Sequence, residues 1–373
     1  MIKLASSLTK NTVAPSPAVR EAIANGKALP LLDVGPYLKG EPGALEQLGA
    51  DVRLIQENLG FFAIINHGIP QSLIDESFRQ AAELFELPME EKLKHRVGYH
   101  HQGYLPPKAS LLKSVAIMDK IAVNTKKDTN AAWLFMRNRS ADDPKVKANV
   151  RHRGLNQWPD SLPKFRETLY AYQLAMEKLS LKLLPVYARA LELPADYFDP
   201  MFKAPEYYQR CAYYHPEEHL EEGQYALAPH SDGSFLTLLP MTPIPGLEVM
   251  TPKKEWLKVS YVEGALIVNT GQILNRLSND RFIATPHRVV NPPTKRYALT
   301  FFFYPDDDAS VAPIPECILP GESPKYDTRL FYDFFVPYLD DLYHYNDPNF
   351  MKEVEGDTAT APTVWPAPAK ATQ

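Results

Sequence analysis

The run PHSDGS, Pro229 to Ser234, sits between two hydrophobic segments and contains His230-x-Asp232. Extended backbone puts residues i and i+2 on one face, so this imidazole and this carboxylate can point at one site if the run is the end of a strand. The same residues suit an ordinary polar turn, because Asp bends and caps the backbone with its own side chain. A third group has to decide. Of the remaining histidines, His287 in ATPHRVV stands out, at or near the start of another short strand-like run, 54 intervening residues beyond Asp232. Two histidines and one carboxylate form the set that holds one face of a non-haem iron(II) and leaves three positions open for oxygen and substrates.

A second feature points the same way. In KRYALTFFF, Arg296 opens an apolar strand nine residues after His287. A lone arginine facing into such a strand is costly unless it meets an anion. Its planar fork suits a carboxylate held by two hydrogen bonds. A small dicarboxylic co-substrate, bound to the metal at one end and to Arg296 at the other, explains both features.

The surrounding elements must position these groups. Leu45, Leu48, Val52, Ile55 and Leu59 have helical spacing and stop at Gly60. FFAIINHG follows as an apolar strand ending in a turn. PQSLIDESFRQAAELFELP places Ser72 three residues before Asp75, which predicts a capping-box start to a helix that Pro88 ends. Residues 96–160 read as loops and mixed segments. From Pro163 a long helical pattern carries Phe165, Leu169, Tyr172, Met176 and Leu179 on one face, with Pro185 expected to kink or interrupt it. After about residue 205 short strand-like runs recur between turn signals, which argues for a sandwich or barrel. The expected organisation is a single domain over 1–373: a mixed region at 29–160, a long helix at 161–200, a β-rich core at 205–305 and an aromatic helical cap at 306–373.

The stretch PHSDGSFLTLL … GALIVNTGQILNRLSNDRFIATPHRVVNPPTKRYALTFFF resembles the core of the isopenicillin N synthase-like, iron(II)/2-oxoglutarate-dependent oxygenases, and LPLLDV … GFFAIINHGIP resembles their N-terminal region. The likeness spans most of residues 29–305. HxD alone is a weak signal, whereas the whole set is highly specific. The resemblance implies an α+β fold with a mostly β core, a double-stranded β-helix (jelly roll) flanked by helices. It implies iron(II) on His230, Asp232 and His287, and 2-oxoglutarate anchored by Arg296 and hydrogen-bonded by Tyr214. It further implies that oxygen decarboxylates 2-oxoglutarate to succinate while a small organic substrate is hydroxylated, desaturated or cyclised.

Two positions depart from the family's pattern. Ala298 stands where the family commonly has serine, and Ala212 where it often has asparagine. Thr300 is the candidate substitute for the missing hydroxyl. One hydrogen bond is worth about 0.5–1.5 kcal/mol, or about 1.5–3 to a charged partner, so the losses weaken co-substrate binding without abolishing it. They also leave open an oxidase or cyclase of the same fold that does not consume 2-oxoglutarate, and a non-catalytic ligand-binding jelly roll. Asp232 argues against the halogenating variant, in which a small residue frees that position.

Other candidates have plainer readings. His215 and His219 in HPEEH read as a solvated loop, not a zinc site, and His67 as a structural turn residue. His100 and His101 are either solvent-facing or at the substrate mouth, with a structural role favoured. Asp306 to Asp308 read as a charged loop, Arg137 and Arg139 as surface arginines rather than partners of a substrate carboxylate, and the aromatic tail from Phe331 to Tyr345 as packing rather than a substrate lid, although the resemblance implies a C-terminal segment near the site. The net charge is −5 and no basic run stands out, which speaks against nucleic-acid or anionic-membrane partners. The two cysteines, Cys211 and Cys317, are far apart in sequence and argue against a disulfide framework. No apolar segment has signal-peptide or membrane-spanning length, so a cytoplasmic protein is expected. The oligomeric state is not legible.

Overall fold

The computed structural model describes residues 13–110, 112 and 124–343. In chain order the first strands are β1 (Leu31–Asp33), β2 (Phe61–Ile65), β3 (Gly103–Leu105) and β4 (Ala131–Met136). The second half carries β5 (Glu206–Tyr214), β6 (Leu227–His230), β7 (Leu236–Pro240) and β8 (Leu247–Met250). It ends with β9 (Trp256–Lys258), β10 (Leu266–Thr270), β11 (His287–Val289) and β12 (Arg296–Tyr304). The helices are α1 (Pro17–Asn25), α2 (Gly35–Leu38), α3 (Ala44–Asn58), α4 (Gln71–Glu86), α5 (Met89–Leu93) and α6 (Pro144–Lys147), then α7 (Pro163–Ala190), α8 (Gln272–Leu277) and α9 (Phe331–Leu342).

The strands form two sheets, one ordered β1-β2-β10-β7-β12-β5-β4-β3 and the other β6-β11-β8-β9. The eight strands from β5 onward thus divide four and four between facing sheets, which is the double-stranded β-helix. Strands β2 and β1 extend the larger sheet at one edge, β4 and β3 at the other. Every residue of β4 is buried. Its AAWLFM run has no alternation to mark it as a strand, because both of its faces are covered.

Strand β12 shows how the layers are divided. Arg296, Ala298, Thr300, Phe302 and Tyr304 face a cavity between the sheets. Leu299, Phe301 and Phe303 alternate with them and are fully buried on the other face. Helices α4 and α7 pack against β12, and α3 packs on α7. Tyr172 of α7 donates its hydroxyl to the Leu299 carbonyl at 2.7 Å. The larger sheet is therefore buried on both faces.

Several local expectations are corrected. The capping box does not form: Pro70 is the N-cap of α4 without a side-chain cap, and Asp75 instead accepts from the Gln71 amide at 2.8 Å. Helix α7 is not interrupted at Pro185 and runs on to Ala190. An internal proline costs about 3 kcal/mol or more, and burial of Leu183, Leu184, Val186 and Tyr187 on the surrounding turns offsets it. Gly60 turns the chain from α3 into β2 at φ 70°, and a Cβ there would run into the Ile283 carbonyl oxygen. Only glycine fits that turn.

Arg137 and Arg139 are not free surface arginines. Arg139 is nearly buried and ion-paired with Glu206, and Arg137 pairs with Glu177 at 2.6 Å. Asp307, in the loop after β12, is the partner of the buried Arg153 at 2.5 Å. His67 is a turn residue: its Nδ1 accepts from the Ile69 amide and its Nε2 meets the Gly264 carbonyl at 3.0 Å. His215 lies in an irregular segment and pairs with Glu217 at 2.7 Å. Cys211 and Cys317 are free and buried. Among the described residues no helix is long and apolar enough to cross a membrane. His344 and Tyr345 of the aromatic tail, and the rest of the expected cap to residue 373, lie outside the described residues.

Candidate active site

Strand β6 ends at His230, and β11 begins at His287. The two histidines are direct partners in the antiparallel pairing of these strands. Their ring centroids are 4.3 Å apart. Asp232 follows in the turn after β6, and its carbonyl accepts from the Gln272 amide at the start of α8 at 2.7 Å. That bond ties the turn to the helix and aims the carboxylate back at the strand end. Asp232 Oδ1 then lies 3.6 Å from His230 Nε2 and 3.4 Å from His287 Nε2. The three ligand atoms lie within 4.8 Å of one another, and all three residues are buried.

The atoms turned away from this point are tied to the protein. His230 Nδ1 meets the Ala228 carbonyl at 2.8 Å and His287 Nδ1 the Thr285 carbonyl at 3.1 Å. A carbonyl accepts only, so Nδ1 carries a proton and each Nε2 is the ring atom left to face the metal point. Asp232 Oδ2 accepts from the Thr237 hydroxyl at 2.8 Å and from the Asn269 amide at 2.7 Å. Burial pushes the Asp232 carboxyl up, but His287 and His230 outweigh it and hold it well below the ordinary carboxylate range. Two imidazole nitrogens and one ionised oxygen therefore converge on a point, with the atoms turned away from it satisfied by the protein. That donor set fits iron(II).

The same cavity holds Arg296 and Tyr214, direct partners across β12 and β5. The guanidinium of Arg296 sits over the Tyr214 ring, 5.0 Å from its centroid. Its Nε donates to the Ile244 carbonyl at 3.3 Å, while its buried Nη1 has no hydrogen-bond partner. Burial pulls the Arg296 pKa down. A buried cation with a spare donor is the cradle an anion would fill. Ala298 lies on the same strand face, opposite Ala212. Thr300 faces the cavity too, but pairs opposite Arg210, four residues along the strand from Arg296.

Asn269, Thr237 and Arg210 were missed in the sequence. Asn269 and Thr237, which hold Asp232, lie inside apolar runs. A buried amide in LIVNT, where every residue is buried, is the signal that was available. Arg210 also lines the cavity, and the argument applied to Arg296 applies equally to it. The C-terminal helix is more than packing: Tyr338, Leu339 and Leu342, with Tyr343 after it, form a wall of the cavity. His101 is fully buried behind that wall, with its ring 4.3 Å from Tyr343 and its Nε2 3.3 Å from the Tyr208 hydroxyl.

Comparison with known proteins agrees with this geometry. Residues 29–161 match the family described as non-haem dioxygenase in morphine synthesis N-terminal, and residues 205–305 match the 2OG-Fe(II) oxygenase superfamily. The 2-oxoglutarate-Fe(II) type oxidoreductase hxnY of Emericella nidulans is 32% identical over 308 residues, covering 80% of this chain and 86% of that protein. The kihadalactone A synthase LFS of Citrus sinensis is 30% identical over 322 residues, covering 84% and 93%. A full-length Neurospora crassa protein, crystallised in complex with alpha-KG, shares the fold, with a TM-score of 0.71 at 24% identity over 83% of this chain and 95% of that one. The chain belongs to the 2OG-Fe(II) oxygenase superfamily. It is an oxidoreductase, a dioxygenase that uses iron(II), 2-oxoglutarate and oxygen.

Proposed function

We propose that this dioxygenase carries its iron(II) on His230, Asp232 and His287, and anchors the far carboxylate of 2-oxoglutarate on Arg296 with Tyr214 beside it. One observation carries the assignment: a three-donor set and a buried guanidinium with an unpartnered nitrogen line the same cavity. A 2-oxoglutarate-independent oxidase would leave Arg296 buried without an anion, which is costly.

When bound, the iron supplies the oxygen chemistry that couples decarboxylation of 2-oxoglutarate to oxidation of the organic substrate. The chain supplies position and shelter. The carbonyls of Ala228 and Thr285 fix the tautomers of the two imidazoles. Asn269 and Thr237 hold one carboxylate oxygen so that the other faces the metal point. Arg296 supplies the charge that orients the co-substrate. Phe302, Tyr338, Leu339 and Leu342 line the cavity and exclude water from it. Ala298 and Ala212 add no donors, so Arg296 and Tyr214 carry the anchor without them.

The organic substrate is a small molecule that undergoes hydroxylation, desaturation or ring formation. Two buried free thiols suit a reducing, cytoplasmic compartment. The test is anaerobic addition of iron(II) and then 2-oxoglutarate, read by the visible charge-transfer absorption of the chelate. His287→Ala is expected to lose iron. Arg296→Leu is expected to keep iron and lose co-substrate affinity. An unchanged 2-oxoglutarate affinity in Arg296→Leu would overturn the anchor.

A further inference from the structure

The cavity contains a second buried arginine that the cofactors do not use. Arg210 lies on β5, four residues before Tyr214, which is roughly 13 Å at about 3.3 Å per residue. Tyr214, Ala212, Arg210 and Tyr208 follow one another on alternate positions and so share a strand face. Arg210 is 4% exposed and makes no ion pair among the described residues. Its Nη1 donates to the Tyr343 hydroxyl at 2.8 Å, its Nη2 donates to the Asn130 side-chain oxygen, and its Nε has no partner. A buried, permanently charged group whose direct hydrogen-bond partners are neutral, and which keeps a spare donor, is a place for an anion.

The charges of the loaded site leave that place open. Iron(II) and Arg296 are balanced by Asp232 and a 2-oxoglutarate dianion, and Arg210 is the remaining charge lining the cavity. Asp128 is near enough to feel Arg210, but it does not lie on the cavity wall. Its oxygens are taken by the amides of Ala228 and Leu112 and the hydroxyl of Ser110, and burial pushes its carboxyl up to about 7.

We infer that Arg210 binds a carboxylate of the organic substrate, so that the enzyme oxidises a small aromatic monocarboxylic acid. The inference rests on the iron and 2-oxoglutarate assignment above and names the substrate class of that same site. One feature argues for a planar apolar body attached to the acid, and a second adds a polar contact beside the arginine. The walls beside Arg210 are Tyr208, Phe302 and Tyr343, which offer ring faces. Thr300, opposite Arg210, offers a hydroxyl within the same end of the cavity.

The test compares acids with their uncharged amides in the loaded full-length enzyme. Succinate release is measured with benzoate, phenylacetate and cinnamate, each beside benzamide, phenylacetamide and cinnamamide. At least one acid is expected to accelerate release, with its amide weaker by at least about 30-fold in kcat/KM. Arg210→Gln should erase that preference, and Arg210→Lys should retain it. The visible iron and 2-oxoglutarate absorption of each variant reports that it is folded and loaded. Equal rates with acid and amide, no acceleration by any acid, or an acid preference that survives in Arg210→Gln would each overturn the inference. Absence of the absorption in the wild-type protein would instead overturn the cofactor assignment beneath it.

Discussion

His287 stands directly opposite His230 in the pairing of β11 with β6, and their rings are 4.3 Å apart. Two imidazoles distant in sequence are thus fixed by a backbone ladder, not by a loop. Phe61 of β2 packs edge-on against the His287 ring at 5.1 Å, so the N-terminal strands also buttress the site. The register of these two strands is the geometric basis of the site.

Asn269 supports Asp232 without reaching the metal point. Asn269→Ala removes one of the two hydrogen bonds to Asp232 Oδ2. Loss of such an outer partner typically lowers metal affinity about 10–100-fold. Iron(II) titration is expected to show that loss, with a smaller loss in Thr237→Val, whose hydroxyl also meets Ser234 at 2.8 Å.

Ala298 offers a gain-of-affinity test. Its methyl shares the cavity face with Arg296, two residues away. Ala298→Ser adds a hydroxyl able to donate to the same carboxylate. One hydrogen bond of about 1–1.5 kcal/mol corresponds to a roughly 5–10-fold lower KM for 2-oxoglutarate. The KM from succinate release measures it, and an unchanged value would mean that the carboxylate lies out of reach of position 298.

Gly233 is where the C-terminal helix touches the metal turn. A Cβ on Gly233 would run into the Tyr338 ring. Helix α9 is not free to give way, because Asp340 is held by Arg151 at 2.6 Å and by His152 at 3.1 Å. Gly233→Ala is expected to cost about 1–3 kcal/mol. In a Tyr338→Ala background the same substitution should cost much less, which thermal unfolding of the double-mutant cycle reads directly.

The buried histidines behind that helix set an acid limit. Burial pushes His152 down to about 4, against the pull of Asp340, and His101 well below its ordinary value. Between about 4 and about 6.5 the unfolded chain takes up protons that the folded chain refuses. Stability is therefore complete above about pH 6.5 and declines as the pH falls, by roughly 3 kcal/mol at pH 4 for His152 alone. Denaturant unfolding at pH 7 and pH 4.5 should show a smaller acid loss in His152→Gln than in wild type.

Much of the site was legible in residue types and spacing. His230, Asp232, His287 and Arg296 draw attention because each is expensive to bury and recurs at a strand end. Hydrophobic periodicity placed α3 and α7, because a helix packed on one side carries its pattern openly. Strand β4 was hidden for the opposite reason: both faces are covered, and a fully buried run has no period to read.

By itself the sequence determined which chemistry is available: two imidazoles, a carboxylate and an arginine at strand ends imply a metal and an anion. The tertiary structure alone decided which groups meet. Arg210 and Arg296 share one cavity because the chain alternation of β5 and β12 turns their faces inward together. Asn269 reaches Asp232 because β10 pairs with β7, a pairing between strands separated by β8 and β9 in the chain. Tyr338 closes the pocket because Asp340, two residues on, is clamped by Arg151 and His152 from a distant segment. Such meetings depend on strand order and register, which long-range packing sets and local propensity does not encode.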